Sequence, residues 1–180
     1  MNILLITKTQ LPVATYGGTE RVVWDLGYSL HLKQHSVTFL AGKGTKCEWA
    51  KVIEYDTAQS VNLQIPISTD IVHFHSAYES VDKPFVVTQH GNSASGIAPN
   101  TIFVSKSHAH NHCAEAYVHN GLNWDNYQQP EFNVPRTRFH FLGKAAWRVK
   151  NVQGAIEHAE LMYVWMLWEG TGLILVWASD

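Results

Sequence analysis

Five short apolar runs, each rich in branched residues, recur through the first 105 positions: NILLI (Asn2–Ile6), SVTFLAG (Ser36–Gly42), DIVHFHS (Asp70–Ser76), PFVVTQHG (Pro84–Gly91) and TIFVS (Thr101–Ser105). RFHFLGK (Arg138–Lys144) is a sixth. Runs of this kind read as strands buried on both faces, and such strands need helices to cover them. Helical stretches do lie between some of them. In TERVVWDLGYSLHLK the residues Val22, Val23, Leu26 and Leu30 make one apolar face. KSHAHNHCAEA (Lys106–Ala116), capped by Ser105 or Ser107, and VQGAIEHAEL (Val152–Leu161) are further candidates. Strands alternating with helices imply crossovers and a mostly parallel sheet, so the expected fold is α/β and Rossmann-like. Such sheets bind ligands at the carboxyl ends of their strands. That puts the loops after Ile6, His75, Gln89 and Val104 on one rim. A length of 180 residues, 46% of them apolar, allows one packed domain plus part of another.

The net charge of -2 and pI near 6.6 give no global attraction for nucleic acid. Cys47 and Cys113 are distant in sequence and read as reduced thiols. The apolar run at the N-terminus is too short for a signal peptide. The best membrane-span candidate, Leu161–Ala178, is interrupted by Glu169, Gly170 and Gly172. The expectation is a soluble, cytoplasmic protein. The chemistry changes near residue 160. Lys150 is the last lysine or arginine, and LMYVWMLWEGTGLILVWASD holds three of the seven tryptophans with only Glu169 and Asp180 charged. A selected surface normally intersperses charges. The tail is therefore expected to be buried, paired with another chain, or not a selected sequence.

Gly17-Gly18 follows the first strand and its loop and precedes a helix starting near Thr19 or Glu20. Glycine lets a ligand approach the backbone, and the free amides of a helix start favour an anion. The alternative is a flexible corner between strand and helix. No Gly-Lys-Ser/Thr and no GxGxxG follows, so neither the Walker motif nor the dinucleotide fingerprint is present. In SHAHNHC, His108 and His112 stand four apart and would share a helix face, but no third ligand, HExxH or CxxC accompanies them. The favoured reading there is a polar helix start. GxSxG is absent, which leaves a hydrolase triad without support.

PVATYGGTERVVWDLGYSLHLKQHSVTFLAG resembles the opening of the family 4 glycosyltransferases, retaining enzymes of the GT-B fold. Gly17, Gly18 and Glu20 match the family's Gly-Gly-x-Glu, and His35 and Val37 match its Gly-His-x-Val strand, with Gln34 in place of glycine. The resemblance continues through DIVHFHS, VVTQHG, IFVSKS, YVHNGLNWDNY and FHFLGKAAWRVKNVQGAIEHA, and so covers about Met1 to Ala159. It implies a first GT-B domain over 1–135, the first strand and helix of a second domain over 136–160, and an unmatched apolar tail over 161–180.

The resemblance also implies a site. The Gly17-Gly18 loop and Glu20 would lie beside a donor diphosphate. Lys144 and Lys150 match the two basic residues that hold that diphosphate, although Lys144 replaces arginine and loses its bidentate fork. His90 matches the histidine that contacts the donor sugar and is the candidate catalytic residue. His75, at another strand end, would line the acceptor side. The implied reaction moves a sugar from a nucleotide-sugar donor to a sugar or glycolipid acceptor, in cell-surface polysaccharide or glycolipid synthesis, with no cofactor and no metal. The chain has no Asp-x-Asp, and no Glu-x7-Glu pair beyond Lys150. Most of the second domain is missing from the pattern. A truncated or frame-shifted product, weakly active or inactive alone, is therefore expected. Attachment to a membrane surface through a glycolipid acceptor stays open. Two rivals stand beside this reading: a non-catalytic module that pairs with another chain, even its own copy, through 161–180, and a flavodoxin-like nucleotide binder.

Overall fold

The computed structural model describes residues 1–14, 17–92, 97–133, 138–141, 148–161, 164–169 and 173–178. The chain divides into two compact units, Met1–Tyr127 and Gln128–Asp180.

The first unit is a Rossmann-like α/β domain. Its strands are β1 (Asn2–Ile6), β2 (Ser36–Ala41), β3 (Lys51–Glu54), β4 (Ile71–Phe74), β5 (Phe85–Gln89) and β6 (Thr101–Phe103). They form one sheet in the order β3-β2-β1-β4-β5-β6, and every pairing is parallel. The helices are α1 (Gly18–Leu32), α2 (Val61–Gln64) and α3 (Lys106–Asn111). β1 shows why both faces must be covered. Side chains alternate across a strand. Ile3 and Leu5 join Val37, Phe39 and Val23 of α1 in one core, whereas Leu4 and Ile6 join Leu40, Phe74 and Val61 of α2 in the other. Leu4, Leu5 and Ile6 are fully buried. Each such side chain contributes roughly 1.5–3 kcal/mol of transfer free energy.

Of the expected apolar face of α1, Val23 is buried and Leu26 and Leu30 pack on the same core, whereas Val22 lines a cavity. Trp24 stacks on Phe39 at a centroid distance of 5.8 Å. The helix lies close to the sheet at Gly27, where a Cβ would stand 2.5 Å from Cζ of Phe39. Three features differ from the sequence reading. β3 is an edge strand whose KVIE is apolar only at its centre, since an edge needs little burial. α2 is a single short turn of helix. α3 stops at Asn111, not Ala116. Cys113 turns to φ 53°, and the chain then forms a parallel bridge from Tyr117 to Phe103.

The second unit contains β7 (Arg138–Phe141), a 3-10 turn at Arg148–Lys150, α4 (Val152–Leu161), β8 (Val164–Glu169) and β9 (Leu173–Ala178). Its sheet runs β7-β9-β8 and is antiparallel throughout. The apolar tail thus forms a strand pair, with Glu169 opposite Leu173.

Candidate functional site

Strand order reverses beside β1: the sheet grows toward β2 on one side and toward β4 on the other. In open α/β sheets this switch point, at the carboxyl ends of the strands, is where a crevice opens. The loop after β1 leads to the start of α1, and the loop after β4 begins with His75. The His75 amide donates to the Ile6 carbonyl at 2.9 Å, which fixes this loop against β1. On the same rim, Lys8 and the Tyr55 hydroxyl both donate to Oε1 of Glu79, at 3.2 and 2.9 Å. That clasp joins the loops after β1, β3 and β4.

An outer cavity of about 720 Å³ sits at this rim. Thr19 from the start of α1, His75 and Ser76 after β4, and His90 after β5 line it. Glu20 also acts on His90 electrostatically. Its carboxylate lies near Gly17, where a Cβ would come within 2.9 Å of Oε2 and 2.7 Å of Val13 Cγ2. Gly18 differs: a Cβ there would meet nothing within 4 Å. Among the described residues no side chain caps α1, which leaves its first amides for a ligand beside an unobstructed Gly18. Among the described residues that line this cavity there is no lysine or arginine.

The histidines form a connected group. β4 turns Ile71 and His73 to the α1 face of the sheet, opposite Val72 and Phe74. His73 Nε2 and Thr88 Oγ1 are 2.7 Å apart, and the His73 and His75 rings lie 4.1 Å apart. His75 Nδ1 and His90 Nε2 share a hydrogen bond of 3.0 Å. Burial, reinforced by His90, pushes the pKa of His73 down to about 4. Burial, with His73 and His90 adding to it, pushes His75 down to about 2. Burial also lowers His90; Glu20 draws it back up and His108 pushes it further down. His73 and His75 are therefore neutral imidazoles at pH 7. His75 Nε2, His90 Nδ1 and Ser76 Oγ are buried with no hydrogen-bond partner among the described residues. Buried polar atoms of this kind mark a place where a polar ligand would be satisfied.

A second, inner cavity of about 360 Å³ lies on the α1 face of the sheet. Val22 and Leu26 of α1, Ile102 of β6, and Val118 and Leu122 of the loop beyond α3 supply its apolar wall. That loop is tied down by Asp25, a buried carboxylate on α1 that accepts the Asn123 amide at 2.9 Å. His75 and Thr88 line both cavities and form the wall between them.

The structure therefore brings together Gly17, Gly18, Glu20, His75 and His90 of the residues singled out from sequence. Lys150 is exposed at the end of its 3-10 turn in the second unit, and Lys144 lies outside the described residues. Sequence reading missed Thr88, Ser76 and the contribution of His108 near His90. It also missed the hydrogen bond between His75 and His90, 15 positions apart. His108 is buried on α3 behind Ser105, whose hydroxyl accepts its amide, and its ring is 5.4 Å from that of His112. Among the described residues no group of three or more His, Cys, Asp or Glu is placed to hold a metal ion. No helix among them is long and apolar enough to cross a membrane. No protein-family model matches the chain, and no curated protein matches it.

Proposed function

We propose that the chain is a glycosyltransferase of the family 4 type, transferring a sugar from a nucleotide-sugar donor with retention in polysaccharide or glycolipid assembly. One observation carries the reading: a helix start whose N-cap Gly17 offers no side-chain cap, with an open Gly18, stands beside the hydrogen-bonded pair of buried His75 and half-buried His90 at the switch point of a parallel sheet. The amides of α1 would take the diphosphate. His90 Nδ1 and Ser76 Oγ would take sugar hydroxyls. With no lysine or arginine among the described lining residues, the outer cavity alone meets the diphosphate charge only through backbone amides, while Glu20 opposes it. The family resemblance also assigns Lys144 and Lys150 to the donor diphosphate. Transfer needs leaving-group charge stabilised in a closed, preorganised cleft. The chain alone is expected to bind a donor and to transfer from it slowly.

A thermal-shift screen of the whole chain against UDP-, GDP- and ADP-sugars tests this. Linkage gives about 2.7 kcal/mol of stabilisation at a hundredfold excess over Kd. The expected result is a rise in Tm with one nucleotide class, smaller in Lys150→Ala. No rise with any of them would refute the donor site.

A second reading rests on β8. It is an edge strand of the antiparallel sheet, and its sequence VWMLWE is almost wholly apolar. An edge of that kind is a template for strand pairing with another chain. If pairing is the function, sedimentation will show a concentration-dependent dimer that disappears on deleting Leu161–Asp180. A monomer at all concentrations would exclude it.

A further inference from the structure

The inner cavity is not accounted for by the donor reading, and its chemistry differs from that of a phosphate site. Its wall is mainly aliphatic. Its acidic member is Asp25, and no lysine or arginine is among its described lining residues. His73, His75 and His119 are its imidazoles, and burial keeps His73 and His75 neutral well below pH 7. An anion placed there would meet the Asp25 carboxylate, with no lysine or arginine among the described lining residues to offset it, and would bear a desolvation penalty. A small neutral group with an apolar body meets no such barrier. About 360 Å³ is within the range of small-molecule pockets.

One polar atom remains to be satisfied. His75 is 7% exposed and lines this cavity. Its Nδ1 is engaged by His90, so Nε2, buried and without a partner among the described residues, is the nitrogen left for an occupant. A neutral imidazole has one N–H and one lone pair. In a hydrogen-bonded pair of neutral imidazoles the two choices are therefore linked. If an occupant donates to His75 Nε2, the His75 proton must sit on Nδ1. His75 then donates to His90 Nε2, and the His90 proton sits on Nδ1, on a residue that lines the outer cavity. If the occupant accepts instead, every role reverses.

We propose that the inner cavity binds a neutral, hydroxyl-bearing group with an apolar body, whose hydroxyl donates to His75 Nε2 and thereby makes His90 a hydrogen-bond donor toward the outer cavity. The proposal needs no assumption about what the outer cavity holds. It makes His75 a positioning residue that acts through His90.

The test uses the full chain labelled with ¹⁵N-histidine and benzyl alcohol as the probe. Long-range proton–nitrogen spectra read which ring nitrogen carries the proton. Benzyl alcohol is expected to saturate and to leave protons on Nδ1 of both His75 and His90. Benzoate, of the same size but charged, is expected to bind at least tenfold more weakly. His75→Phe keeps the ring and removes the acceptor, and should weaken the alcohol about tenfold, the loss of one hydrogen bond. The proposal is overturned if benzyl alcohol fails to saturate or leaves the proton of either histidine on Nε2, if benzoate competes equally, or if His75→Phe, folded by circular dichroism, binds the alcohol as well as the parent. The wild-type spectra decide the question even if the variant does not fold. A parallel titration with nucleotide sugars separates the two claims: their failure beside a bound alcohol removes the donor reading and leaves this one intact.

Discussion

Lowering the pH from 7 to 4.5 should destabilise the first unit by about 5 kcal/mol through His73 and His75 alone. The sign follows from their protonation. Both are neutral in the folded chain, with pKa values near 4 and 2, against an ordinary value of 6.5. Below pH 6.5 the unfolded chain binds protons that the folded chain refuses. Their contribution is thus complete above about pH 6.5 and is lost as the pH falls. Each imidazole forfeits about 1.4 kcal/mol per pH unit until its folded value is reached. His73 stops near pH 4; His75 continues lower. Whole domains are stable by only about 5–15 kcal/mol, so the loss is large enough to unfold this one or force the cluster open. Thermal melts between pH 7 and 4.5 should show a steep fall in Tm, and His73→Gln should roughly halve its slope. A Tm flat from pH 7 to 5, or an unchanged slope in the variant, would mean the histidines are not buried as described.

The second large effect concerns two adjacent glycines that sequence alone treats as equivalent. At Gly17 a side chain would run into Val13 and Glu20. At Gly18 it would enter open space. Gly17→Val should therefore harm folding, by about 1–3 kcal/mol of overpacking. Gly18→Val should leave Tm nearly unchanged and instead cover the first amides of α1. Charge-assisted hydrogen bonds contribute roughly 1.5–3 kcal/mol each. Losing one or two of them should weaken a nucleotide sugar about a hundredfold.

Much of the frame was legible because it rests on local periodicity. NILLI could only be a strand buried on both faces, and the 3.6-residue spacing of Val23, Leu26 and Leu30 marked α1. Together they implied the parallel sheet and its ligand-binding rim. The edge strand β3 was not legible, because an edge leaves little apolar signature. The strand pair β8–β9 was hidden by its uniform apolarity. His90, Gly17, Gly18 and His75 were legible as strand-end and helix-start residues. Their mutual geometry was not. The hydrogen bond from His75 to His90 depends on β4 lying beside β5, and the inner cavity depends on Asp25 holding Asn123 across 98 positions. Such long-range contacts leave no local pattern to read.

The central claim is that the open helix start beside the histidine pair is a donor site. The most direct measurement is calorimetric titration of the wild type and Gly18→Val, side by side, with the nucleotide sugar that raises Tm most. The account predicts one saturable site in the wild type and about hundredfold weaker binding in a variant of unchanged Tm. Equal affinity in the two proteins, or no binding to either, would contradict it.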